Sequence, residues 1–151
     1  MGTLYNDDVV AWAEKQASLL RAGRWSELDI DNIAEEIEDV GKSEKRELQN
    51  RLALLIAHLL KWAYQQDMRG HSWVYTIREQ RAAIQQDLIK GPGLKSLLTD
   101  TAWVRQTYRY AKVKAYEDTH DLILPDELPW TVEQILSADF MPETGADYSP
   151  P

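Results

Sequence analysis

No cysteine occurs among the 151 residues, which removes disulfides, thiolate metal ligands and a cysteine nucleophile together. Proline is missing from the first ninety positions, since all six prolines lie at Pro92 or beyond, so nothing of that kind interrupts a helix there. Long apolar runs are also scarce. The most apolar stretch, 52–63, is about a dozen residues long and carries His58 and Lys61, well short of the ~20 that a bilayer requires. The opening MGTLYNDDVV has neither a basic start nor a long apolar run, so no secretory signal is expected and a cytoplasmic location is. Lysine and arginine are absent from position 115 onward. The net charge of −8 is therefore uneven: residues 1–23 carry −1, 24–60 carry −4, 61–114 carry +6 and 115–151 carry −9. That balance disfavours nucleic acid as the main partner, and it leaves a basic middle that either pairs with its acidic flanks or faces an anion.

What the chain does have is helical periodicity. In 42–66, KSEKRELQNRLALLIAHLLKWAYQQ, residues Leu48, Leu52, Leu55, Leu59, Trp62 and Ala63 share one face. Leu54, Ile56, Ala57 and Leu60 cover most of the rest, and a helix apolar nearly all round belongs inside a bundle. Before it, Asn6 or Asp7 is expected to cap a first helix that ends at Gly23. Asp29 opens a second, with Ile30, Ile33, Ile37 and Val40 buried and Gly41 closing it, and Ser43 then caps the central helix. After a turn at 67–71, with Ser72 as cap, a fourth helix buries Trp73, Ile77, Ile84 and Leu88, with Gln80 in the same stripe. Gly91-Pro92-Gly93 breaks the chain, and a fifth helix is expected over 94–118. Thr131 and Gln134 have capping-box spacing for one short further helix. The predicted fold is all-α: a mainly antiparallel bundle of five main helices around a buried central one. Residues 1–143 would form one domain, with 119–143 as a C-terminal arm, the short sixth helix lying on it, and 144–151 as a flexible tail.

Several separated words in fixed order carry a family likeness: LYNDDVVAWAEKQASLLRAGRWSELDIDNIAEEIEDVGKSEKREL, RLALLIAHLLKWAYQ, SWVYTIREQRAAI and PWTVEQILSADFMPE. Across roughly residues 4–143 they resemble the bacterial domain of unknown function family 29. The resemblance implies an all-helical bacterial protein and brings no activity, cofactor or catalytic residue with it. Gly91-Pro92-Gly93-Leu94 departs from the Ser-Pro-Ser-Leu type of turn expected of that family, which implies a weaker cap for the fifth helix.

Candidate chemistry is sparse, and the residues point away from an enzyme. There is no HExxH, P-loop, G-x-G-x-x-G or nucleophile elbow. His58, mid-helix in an apolar run, is expected to be a buried imidazole satisfied by Gln80, which lies level with it if the third and fourth helices form a hairpin. A metal centre would have to use Glu36, His58, Glu117 and His120; Glu117 and His120 have the i, i+3 spacing of di-iron bundles, but that is one such pair where two are needed. No cofactor is expected. Lys61 is expected to bury its stem and reach water with its ammonium. Arg69, Arg78, Arg81, Arg105, Arg109, Lys112, Tyr110 and Tyr116 form a basic, aromatic candidate partner surface, which a nucleic acid could use for phosphates and stacking. Six tryptophans and seven tyrosines favour a protein-interaction module, self-association included, because aromatic side chains are enriched at interfaces.

Overall fold

A computed structural model describes residues 3–117 and 122–143. Among them there is no strand, and the fold is all-α. The chain packs as two compact units, Met1–Glu44 and Lys45–Pro151. The division falls inside one 35-residue helix.

The first unit opens with a single turn, α1 (Leu4–Asp7), and the helix α2 (Val9–Arg21). The cap of α2 is Asp8, whose carboxylate accepts from Ala11 N at 3.0 Å, rather than the expected Asn6 or Asp7. Gly23 ends the helix as predicted: its φ of 71° is left-handed, and the amides of Gly23 and Arg24 reach back to Leu20 O and Leu19 O, the crossed bonds of a Schellman turn. After a 3-10 turn at Trp25–Glu27 the chain enters α3 (Ile30–Tyr64).

Here the structure corrects the sequence reading. The helix runs through Gly41 without a break, so the expected turn at Gly41 and the cap at Ser43 do not exist. A C′ glycine ends a helix by turning left-handed, and Gly41 does not have a positive φ. An interior glycine costs a helix only ~1 kcal/mol relative to alanine, less than unwinding its neighbours Val40, Lys42, Ser43 and Glu44 would. Space for a methyl group is open, with no atom within 4 Å of an added Cβ. Gly41→Ala is therefore expected to raise the unfolding free energy by ~0.5–1 kcal/mol in urea denaturation. A left-handed turn at this position would reverse the sign.

The second unit holds the hydrophobic core. Leu48, Leu52, Leu55, Ile56, Leu59 and Leu60 have no exposed surface at all, as the all-round apolar pattern of this part of α3 required. Around them lie α4 (His71–Lys90), α5 (Thr101–Glu117) and the C-terminal arm with its short helix α6 (Val132–Leu136), which contribute Ile77, Ile84, Tyr108, Ala111, Leu124 and Ile135. The N-cap of α4 is Gly70, not Ser72, and α5 starts at Thr101 rather than 94. Residues Pro92–Thr99 form 3-10 turns instead. Asp100 sets the later start, because its Oδ1 accepts from Ala102 N and Trp103 N and replaces the cap that the glycine-flanked turn lacks. The capping box of Thr131 and Gln134 is formed as expected.

Candidate functional site

The His58 ring Nδ1 lies 3.0 Å from Leu54 O, one turn back along its own helix. Gln80 Oε1 is buried with no hydrogen-bond partner. Lys61 does not reach water as expected: it is 5% exposed, with Nζ 5.1 Å from the centre of the Trp73 ring, a cation–π contact. Glu36 belongs to the first unit, where its Oε1 accepts the Tyr5 hydroxyl at 2.6 Å. That bond and the carboxylate's charge push the Tyr5 pKa up to about 12. Glu117 is the last residue of α5, and His120 lies outside the described residues. Among the described residues no three His, Asp or Glu side chains are grouped as a metal would need.

The proposed basic surface separates into residues with different tasks. Arg105, Arg109 and Tyr110 are exposed on α5, and Arg78 is exposed on α4. Lys112 Nζ lies over the Tyr108 ring, Tyr116 packs on the core, and Arg69 turns inward, donating to Trp62 O at 2.8 Å with its guanidinium over that ring. Arg81 is no surface residue at all. It is 5% exposed, and its guanidinium donates to three carbonyls of the arm: Nε to Ile135 O at 2.8 Å, Nη1 to Ala138 O at 3.3 Å and Nη2 to Phe140 O at 2.6 Å. Ile135 lies in the last turn of α6, whose carbonyls have no partner within the helix, so the fork of Arg81 serves as the helix's C-terminal cap. Burial lowers its pKa from the ordinary arginine value, yet a guanidinium stays charged throughout the range in which proteins fold. The spacing Ile77, Arg81, Ile84, Leu88 placed Arg81 in the buried stripe of α4, and that was the signal available in the sequence. On the other side of the arm, the Tyr108 hydroxyl donates to Pro125 O at 2.6 Å.

In the first unit a polar network holds the start of α3. The Asp29 carboxylate accepts from Asn32 Nδ2 at 2.8 Å and Trp12 Nε1 at 2.9 Å, and the Asp29 amide donates to Gln16 Oε1 at 2.9 Å. The bonds from Asn32 and then Trp12 lower the Asp29 pKa. A carboxylate whose folded pKa lies below the unfolded ~3.9 stabilises the fold fully above that value and loses the contribution as pH falls through the folded pKa. Trp12→Phe is expected to move the Asp29 pKa up towards the ordinary value, read from its carboxyl carbon in an NMR pH titration.

The same unit leaves an apolar row uncovered. Ile30, Ile37 and Val40, expected inside, are 65%, 67% and 65% exposed, and Ile33 is half-buried. The physical reason is the missing turn: without a reversal at Gly41 these residues have no hairpin partner, and the part-buried residues of this stretch are Asn32, Ile33 and Glu36, the last bonded to Tyr5 of α1.

Clefts occur in the second unit. One of about 540 Å³ is lined by Leu88, Leu98, Val132 and Leu136 with Lys95 and Glu133; another, of about 300 Å³, lies along Val104, Arg105, Tyr108 and Trp130. Neither is lined by Glu36, His58 or Glu117. No helix among the described residues is long and apolar enough to cross a membrane.

No match to the chain was found among curated proteins or solved structures. The family model described as Domain of unknown function DUF29 matches residues 4–141. That span takes in both units, the Arg81 clamp and the uncovered row on α3, and the chain belongs to this family.

Proposed function

We propose that this chain is a non-enzymatic protein-interaction module of the cytoplasm. The observation that supports the reading is the row Ile30, Ile37 and Val40 on α3, three branched apolar side chains each about two-thirds exposed. Single exposed apolar residues are ordinary, whereas a contiguous row at helical spacing is the usual mark of a surface that meets another protein.

The test uses the full chain and its Ile37→Asp/Val40→Asp double variant as immobilised baits in an extract of the native cell. The expected result is a set of proteins, the chain itself included, retained by the first bait and lost from the second. Identical retention by both baits, or none by either, overturns the reading.

A further inference from the structure

We propose that a cavity beside the Arg81 clamp binds a small organic carboxylate, a ligand that the interaction-module reading does not supply and on which that reading does not depend. The cavity lies in the second unit, where α4 meets the arm, and has a volume of about 240 Å³. That is the room of roughly eight waters at ~30 Å³ each, enough for one small aromatic or aliphatic acid. Its lining combines apolar Trp62, Ile77 and Met141 with charged Arg78, Arg81 and Asp139.

Arg81 carries the argument. Its side chain is 5% exposed, and its guanidinium is a permanent charge with five N–H donors in a fixed fork. Three of those donors serve Ile135 O, Ala138 O and Phe140 O, which are neutral acceptors. The other two have no acceptor among the described residues, and no carboxylate there lies within ion-pair distance of the group. A cation taken out of water is stable when a counter-charge replaces its hydration, and carbonyl dipoles do so only in part. Asp139 reaches Arg81 through its charge alone, and burial lowers the Arg81 pKa by more than that charge raises it. Arg78, one turn earlier on α4, is exposed and forms no ion pair among the described residues. Two cations against one acid leave the lining with a single positive charge, which one carboxylate cancels.

The rest of the lining sets the rest of the ligand. A carboxylate can present both oxygens to a guanidinium in parallel charge-assisted bonds and leave a hydrocarbon body against Trp62, Ile77 and Met141. A phosphate would turn further oxygens towards those apolar side chains, where each would lose its hydration without a partner. The Trp62 wall is already held, since the Arg69 guanidinium lies 4.7 Å from the ring centre and Arg69 Nε donates to Trp62 O.

Isothermal titration calorimetry of the full chain, at constant ionic strength, tests this with sodium benzoate, sodium hexanoate, benzyl alcohol and inorganic phosphate. Saturable one-to-one binding is expected for at least one of the two carboxylates, and none for the uncharged alcohol or for phosphate. Arg78→Gln is expected to weaken carboxylate binding about tenfold, the loss of one charge-assisted hydrogen bond. Arg105→Gln removes an equal charge from an exposed position on α5 and should leave binding unchanged. In nitrogen–proton spectra of the unsubstituted chain, the Arg81 Nε–H and the Trp62 indole N–H should shift with the midpoint that calorimetry gives, which locates the ligand without any substitution. Failure of both carboxylates to saturate at tens of millimolar overturns the site. So do phosphate or benzyl alcohol binding as tightly as the carboxylates, equal weakening by Arg78→Gln and Arg105→Gln, and shifts that spare both Arg81 and Trp62.

Discussion

Arg81→Met is expected to lower the unfolding free energy by about 1.5–3 kcal/mol, the cost of leaving a buried neutral acceptor without its charged donor. Methionine matches the stem of arginine out to Nε and lacks the rest, so the loss falls on the guanidinium and its three bonds. Hydrogen bonds from a charged donor contribute about 1.5–3 kcal/mol each, and three are lost here. They are not equivalent. The carbonyl of Ile135 belongs to a residue with no exposed surface and would stay unpaired, whereas Ala138 O and Phe140 O are only part-buried and would find water. Arg81→Lys should recover about half of the loss, since an ammonium is one point and cannot span three carbonyls. Urea denaturation gives the free energies, and amide exchange across 132–141 shows whether the arm loosens first, as a clamp would require.

That clamp marks the boundary of what the residues disclosed before the fold was known. An apolar pattern covering the whole circumference of 48–63 demanded burial on every side, and Leu52, Leu55 and Ile56 are indeed buried completely. Capping chemistry was equally legible where it is local: Gly23 turns left-handed, and Thr131 with Gln134 closes a reciprocal box. Gly41 was misread because a glycine between two periodic segments signals either a C′ position or a tolerated interior residue, and the ~1 kcal/mol that separates them is smaller than the packing terms that decide. The consequence spread from that one residue. With the turn assumed, Ile30, Ile37 and Val40 had to face inward; without it they face out. Arg81 failed to register as structural for a different reason: arginine is most often a surface residue, and the three carbonyls that hold it come from a segment over fifty positions away, which no local pattern reports. The contact of His58 Nδ1 with Leu54 O, within its own helix, is likewise one that hairpin register does not report.

The two halves of α3 can be told apart by a pair of identical truncations. Leu59→Ala, at a position with no exposed surface, is expected to cost about 2.7–5 kcal/mol, made up of the lost transfer energy of the side chain and the cavity that close-packed neighbours cannot fill. Ile37→Ala removes as many carbon atoms from the same helix, but at 67% exposure there is little burial to lose and no cavity to open. Alanine is also the better helix former, by a few tenths of a kcal/mol. At low protein concentration Ile37→Ala should therefore lie within ~0.5 kcal/mol of wild type. A concentration-independent Ile37→Ala loss as large as that of Leu59→Ala would mean that this residue is buried within its own chain, and the exposed row with everything inferred from it would fall.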